Sequence, residues 1–361
     1  MKKDIKKSKK KFKNSVIKYI TILNFLYNFK FFICIKGMKI ELIKLFFISL
    51  ISFILYKNYI FRKICNNCIQ NYIYKNIDEC NKCTDSFIFK DIKFVSIEGT
   101  LNEILNHNKS ISRFGDGELN LIWGGNNGFE KYNKELMNRL LEVLHSNNNN
   151  LLVAIPLVCK DNLINLFKRS VYGYWLHWLK KKRFKFRNVL LKNKIYYSSM
   201  ITRFYTPFKD RSNSHNYIKK FKLLWKGRNI TIVEGLKSRI GIGNDLLKNA
   251  KSIKRILCPS RNAFRFYDKI LNSVLKNINK KDLILIALGP TATVLAYDLS
   301  KNGYQAVDLG HLDIQYEMYL RNSSKTLRIP YKYVNEAPGG RYNIRNVKNK
   351  KYYKQIIDVI S

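Results

Sequence analysis

The sequence predicts an α/β fold: a Rossmann-like parallel sheet flanked by helices, with a basic, partly apolar N-terminal extension. Two observations carry this. From about residue 94 to residue 334, short apolar, β-branched runs alternate with stretches of helical periodicity, the order of a parallel sheet covered on both faces. Before residue 90 the composition is different: a Lys-rich start from Lys2 to Lys13, then an apolar-aromatic stretch from Tyr19 to Ile35. The expected organisation is an extension over 1–90, a catalytic-type domain over 91–334 and a polar, basic C-terminal tail over 335–361.

The strands expected, in order, are Leu151–Ile155, Ile195–Tyr197, Ile230–Val233, Arg255–Cys258, Leu283–Leu288 and Ala306–Asp308. Each is a short apolar run, and the run from Leu283 is continuous enough to be buried on both faces. Helical periodicity falls between them at Lys134–His145, Asn162–Leu179, Asn244–Asn249, Ala263–Ile278 and Ala292–Asn302. Open parallel sheets bind ligands beyond the carboxyl ends of their strands, so the loops after the strands are where chemistry is expected.

The chain has 361 residues, 46% hydrophobic and 14% aromatic, with 17 Gly and 6 Pro. Uniform disorder, a small disulfide scaffold and a multispan membrane protein are excluded. The 67 Lys and Arg against 25 Asp and Glu give a net charge of +42. Such charge suits a polyanionic partner, but Lys is spread along the chain and accompanies abundant Asn, including Asn147 to Asn150. An AT-rich coding sequence produces that whole set, and this is the preferred reading.

Within the extension, Leu42–Phe61 reaches the roughly 20 apolar residues of a spanning helix only by tolerating Lys44 and Lys57 near its ends. Three readings are open: a single-span anchor, an in-plane amphipathic helix drawn to anionic lipid, or a packed helix. Cys65, Cys68, Cys80 and Cys83 form two C-x2-C pairs, which suit tetrahedral Zn²⁺ or are four unlinked cysteines. The gap between the pairs is short for a zinc ribbon.

Four clusters carry chemistry. In Ser112-Arg-Phe-Gly-Asp-Gly-Glu118, an extended or tight-turn backbone puts Asp116 and Glu118 on one face. Two such carboxylates make a hard-oxygen site for Mn²⁺ or Mg²⁺, and Arg113 offers a bidentate grip on phosphate. The second cluster runs from Glu234-Gly235 through Ser238 to Asp245. It reads as a strand, a glycine loop with Gly241 and Gly243, and a helix starting near Asn244 or Asp245. Its small residues, Arg239 and free N–H groups suit an anion; a simple Asn or Asp cap is the plain alternative. The third, Gly289-Pro-Thr-Ala-Thr293, places Pro290 in a first helical turn with Thr291 and Thr293 beside the dipole end. In the fourth, His311, Asp313 and Glu317 follow a strand end, a set suited to metal ligation or general-base work. A buried, hydrogen-bonded His is the plain reading of His311. There is no G-x-S-x-G elbow, Walker A loop or H-E-x-x-H.

One chemistry uses all four clusters. A divalent ion on Asp116 and Glu118 bridges a diphosphate, and the loops at Asn244 and Pro290 hold the rest of a nucleotide. A carboxylate across the cleft then deprotonates an acceptor hydroxyl. That is metal-dependent glycosyl transfer from a nucleotide sugar. Two other classes compete: a nucleic-acid-binding protein with a zinc knuckle, marked by steep salt dependence, and another Rossmann-type transferase or dehydrogenase, marked by independence of divalent ions. The first leaves the acidic cluster unused, so no specific nucleic acid is expected.

These four motifs, with Cys258-Pro-Ser-Arg-Asn-Ala-Phe264 between the second and third, resemble the GT-D-type glycosyltransferase domain over about residues 94–320. The resemblance implies a Rossmann-like fold, a DxE metal motif of Asp116 and Glu118, and a UDP-sugar donor such as UDP-glucose. It implies Arg113, Arg239, Gly243, Asn244 and Pro290–Thr293 around the nucleotide, and His311 facing diphosphate or metal. Glu317 is then the expected acceptor base, with Asp313 second, and the acceptor a glycan or glycoconjugate hydroxyl. The Lys-rich start stays cytosolic by the positive-inside rule, and a span would carry the domain away from cytosolic nucleotide sugars. The expected setting is therefore cytoplasmic, with the N-terminal segment leaning on an anionic membrane surface.

Overall fold

Strand periodicity is visible in the packing. In Leu151–Ile155, residues Leu152 and Ala154 enter one core while Leu151, Val153 and Ile155 enter another on the opposite face. Ile230, Ile232, Leu283 and Leu285 side with the first, while Val233, Ile284 and Ile286 pack in a third cluster. A sheet buried on both faces follows from this alternation of apolar side chains. The computed structural model describes residues 88–156, 158 and 164–361.

Nine strands form one parallel sheet: β1 Lys93–Phe94, β2 Ser110–Arg113, β3 Leu151–Ile155, β4 Ile195–Ser198, β5 Asn229–Gly235, β6 Ser252–Cys258, β7 Leu283–Ala287, β8 Gln305–Asp308 and β9 Ile356–Val359. Their order is β1-β4-β3-β2-β8-β7-β5-β6-β9. Helices α1 Ile97–Asn106, α5 Ser214–Leu224 and α8 Leu312–Leu320 contribute to the first core. The second and third cores take α2 Asp116–Ile122, α3 Lys134–His145, α4 Arg169–Val189, α6 Tyr267–Asn277 and α7 Pro290–Lys301. The short α9, Lys350–Gln355, precedes β9. The chain leaves β2 toward β3 on one side, whereas β8 is reached from β7 on the other. The winding reverses between β2 and β8, which opens a crevice at their carboxyl ends.

All six expected strands are present, and α3 has the expected bounds. Three expectations are corrected. Asn244–Asn249 is a series of turns and bends, not a helix. The helix expected over Asn162–Leu179 is described as α4, Arg169–Val189, because its buried stripe of Trp175, Leu179, Arg183 and Phe186 continues past Leu179. Residues 335–361 are not merely a tail, since they supply α9 and the edge strand β9 against β6.

Segment 42–61 and Cys65, Cys68, Cys80 and Cys83 lie outside the described residues. Among the described residues no helix is long and apolar enough to cross a membrane.

Candidate active site

A cavity of about 580 Å³ occupies the crevice. Its floor is the turn after β2 and the start of α2, which carries Asp116 and Glu118. Its walls come from the loops after β7 and β8, from α4, and from the segment after α8 that brings Tyr333, Asn335 and Glu336.

The two acids are not on an extended strand. They are the first and third residues of α2, with Gly115 as N-cap. On a helix, neighbours two apart diverge, so the pair is brought to one place in another way. Glu118 folds back and its Oε2 accepts from the Gly115 N–H at 2.7 Å, the third-residue half of a capping box. Asp116 is exposed, and its Oδ2 accepts from the Tyr174 hydroxyl at 2.5 Å. Burial pushes the Glu118 carboxyl up to about 7, and the nearby charges of Asp308 and Asp116 push the same way. Negative charge is therefore crowded at the mouth of α2.

Arg113 is committed inward. Its Nε donates to the Asp308 carbonyl at 2.9 Å, Nη2 to Asp308 Oδ1 at 3.2 Å, and Nη1 to the Ser199 carbonyl at 3.1 Å. Burial raises the Asp308 carboxyl even though Arg113 draws it down. The guanidinium passes so close to the loop after β8 that a Cβ on Gly310 would lie 1.7 Å from Nη2. Gly310 also has φ +44°, a region that favours glycine.

His311 has both ring nitrogens engaged. Arg203 donates to Nδ1 at 3.2 Å, and Nε2 donates to Asn335 Oδ1 at 3.1 Å. Burial, together with the charge of Arg203, lowers its pKa to about 4, so the ring is neutral at pH 7. It faces the cavity, but in this arrangement it has no lone pair to give a metal. Glu336 Oε1 lies 2.5 Å from Arg203 and 3.6 Å from His311 Nε2. Burial raises the Glu336 carboxyl, but His311 and Arg203 outweigh it and hold it at about 2.

The expected acceptor bases are placed differently from one another and from expectation. Glu317 is 1% exposed and does not line the cavity. Its Oε1 accepts from Lys332 Nζ at 2.8 Å and Asn244 Nδ2 at 2.7 Å, and Oε2 pairs with Arg321. A carboxylate so enclosed cannot reach an acceptor, and its role as base is corrected. Asp313 reaches the cavity wall, but accepts from Gly241 N (2.9 Å), Asn244 Nδ2 (3.0 Å) and Lys332 Nζ (2.6 Å). The two acids and Lys332 form a buried charge cluster that ties α8 to the segment behind it.

That cluster also absorbs most of the second motif. Gly241 and Asn244 serve Asp313 and Glu317, and Asp245 pairs with Lys222 at 2.7 Å on the surface. Gly243 lies under Tyr331, whose hydroxyl would be 2.1 Å from an added Cβ. Arg239 donates through Nη1 to the carbonyls of Tyr331 and Arg345 at 2.8 and 2.6 Å. The loop thus braces the C-terminal segment, and the anion site expected from a helix start is corrected because no helix begins there. In the third motif Gly289 borders the cavity, but Pro290, Thr291 and Thr293 are buried behind it. Thr291 donates to Glu130 Oε1 at 2.7 Å and Thr293 to the Arg113 carbonyl at 3.0 Å.

The site thus keeps Asp116, Glu118, Arg113, His311, Asp313 and Gly289 from the expected set and adds Tyr174, Arg203, Asp308, Asn335 and Glu336. Asp308 closes a strand inside the fourth motif and was legible as a strand-end acid. The others lie in segments with no motif signature.

The family described as "Glycosyltransferase GT-D fold" matches residues 111–337, which span β2 through the cavity-lining segment. The chain belongs to the GT-D glycosyltransferase fold family. Among relatives of this GT-D chain, a probable glycosyl transferase Gly from Streptococcus gordonii is 36% identical over 248 residues, 68% of this chain and 36% of that protein. Glycosyltransferase GlyD from Streptococcus pneumoniae serotype 4 is 33% identical over 267 residues, 74% of this chain and 32% of that protein. The GT-D chain therefore spans about a third of the length of these curated relatives. A solved domain of unknown function 1792, described as having a distinct glycosyltransferase fold, superposes with TM-score 0.72 at 36% identity, covering 79% of this chain and all of that one. A structure described as a new glycosyltransferase from Streptococcus sanguinis gives TM-score 0.71 at 35% identity, covering 75% and all.

The donor set can be tested against a divalent ion. No three His, Cys, Asp or Glu side chains among the described residues form a metal-holding group. The protein offers two carboxylates, which is how Mg²⁺ is commonly held when phosphates and water complete its shell. Burial pushes the Glu118 carboxyl up to about 7, and a cation there would favour its ionised form. Asp116 and Glu118 fit such an ion; His311, as arranged, does not.

Proposed function

We propose that this chain transfers a glycosyl group from a nucleoside diphosphate sugar, of the UDP-glucose kind, to a hydroxyl of a glycan or glycoconjugate. The observation that carries the reading is the Asp116–Glu118 pair on the floor of a large cavity at the point where the sheet reverses its winding. Asp116 and Glu118 would hold Mn²⁺ or Mg²⁺, which when bound would supply positive charge against a departing diphosphate.

The remaining steps belong to the chain's own groups. Asp308 fixes Arg113, and Arg113 in turn ties the end of β8 to β2 and to the Ser199 carbonyl after β4, with Gly310 leaving room for the guanidinium. Arg203 stays protonated: burial opposes its charge, but Glu336, Asp116 and Glu118 outweigh that cost. It therefore sets a fixed positive charge beside the acid pair, where a phosphate would lie. Glu336, which lines the cavity as Glu317 does not, takes the place of Glu317 as the candidate carboxylate for the acceptor proton. Neutral His311 holds Asn335 and Arg203 in register around it.

The experiment is release of UDP from UDP-glucose by the full chain with Mn²⁺. Asp116→Asn or Glu118→Gln abolishes turnover while the protein still unfolds in one cooperative thermal transition. Unchanged turnover in both variants overturns the reading.

A further inference from the structure

We infer that Tyr174 is a positioning residue that orients Asp116 for the divalent ion. The inference rests on the proposed function and deepens it. Asp116 is exposed and begins a helix, so nothing in α2 fixes its side chain; no backbone group of its own loop hydrogen-bonds it among the described residues. Its fixed contact comes from a distant element. Tyr174, on the second turn of α4, sends its hydroxyl to Asp116 Oδ2 at 2.5 Å. The bond engages Oδ2 of a residue that lines the cavity.

The tyrosine is itself held from behind. Its ring meets Trp175 edge-on at 5.4 Å, and Trp175 meets Trp178 in the same way, also at 5.4 Å. Trp178 packs on Phe186 at 5.4 Å and on Trp123, the C-cap of α2, at 5.8 Å. An aromatic chain therefore links the far end of α2 to the hydroxyl at its near end. Tyr174 is 49% exposed, and a half-exposed ring contributes little to the core. Its orientation toward a carboxylate is better explained by a demand at the carboxylate. Partners that orient a ligating side chain are typically worth 10–100-fold in metal affinity.

The test is Mn²⁺ binding followed by electron paramagnetic resonance titration of the full chain with UDP present. UDP affinity is measured separately in EDTA. Tyr174→Phe keeps the ring and removes the donor. It should weaken Mn²⁺ binding about tenfold while leaving UDP affinity in EDTA and the melting temperature unchanged. Tyr174→Ala should weaken Mn²⁺ binding to a similar extent, because the hydroxyl rather than the ring acts. Mn²⁺ binding within twofold of wild type in Tyr174→Phe overturns the inference alone. Wild-type protein whose Mn²⁺ binding is indifferent to Asp116→Asn overturns the proposed function and this inference with it. Equal weakening of Mn²⁺ and metal-free UDP binding also overturns the inference, since it marks general damage to the cavity.

Discussion

Lys332 offers the sharpest test of how the cavity wall is held. Its ammonium is fully buried and donates to Asp313 Oδ2 at 2.6 Å and Glu317 Oε1 at 2.8 Å, acids that are themselves 4% and 1% exposed. Lys332→Met keeps much of the apolar stem and removes the charge. Two carboxylates are then left facing each other with only Asn244, Gly241 and Arg321 for support. Breaking a buried ion pair by removing one partner costs about 3–5 kcal/mol. At about 2–4 °C per kcal/mol for a domain of this size, the melting temperature falls by about 6–20 °C. Differential scanning fluorimetry at pH 7 reads this directly. Lys332→Met with Glu317→Gln should recover part of the loss, because one uncompensated charge is gone. A fall below about 2 °C in the single variant would refute the reasoning, and with it the argument that Glu317 is a structural acid.

Other outcomes follow from the same geometry. Gly310→Ala drives a Cβ into the Arg113 guanidinium and strains φ, at a cost of about 1–3 kcal/mol, with lost turnover; thermal unfolding and UDP release check it. The folded-state pKa of Glu118 lies above its unfolded value, so its contribution to stability is full below about 4.5 and is lost as pH rises through about 7. In metal-free protein the melting temperature should therefore fall over that window, less steeply in Glu118→Gln, and a slope identical in the two proteins would contradict the desolvation of the Glu118 carboxyl. Glu336→Gln should lower turnover at least 100-fold with donor binding retained; full activity removes it as the base.

The sheet was legible because strands buried on both faces are written as apolar runs, as at Leu283–Ala287 and Leu151–Ile155. The short β1, with two residues, and the half-exposed edge strand β9 carry no such run. The acid pair was legible as a pair, but its geometry was not. A glycine on each side of Asp116 suggests a turn, whereas the chain begins a helix and uses Glu118 as its cap. The second motif misled for a related reason. Glycines that suit a phosphate loop also suit close packing, and here Tyr331 fills the space above Gly243. Arg203, Glu336 and Tyr174 carry no local signature, because long-range folding alone brings them within reach of Asp116 and His311.

The central claim is that the two acids of α2 hold a cation against a sugar nucleotide. Thermal unfolding across a panel of nucleotide sugars, with Mn²⁺ or with EDTA, tests it most directly, since a ligand that binds the folded state raises the midpoint by mass action. The account predicts a larger rise with a UDP-sugar when Mn²⁺ is present than in EDTA, and loss of that Mn²⁺-dependent increment in Asp116→Asn or Glu118→Gln. A rise of equal size in EDTA, or an increment that survives both substitutions, would contradict it.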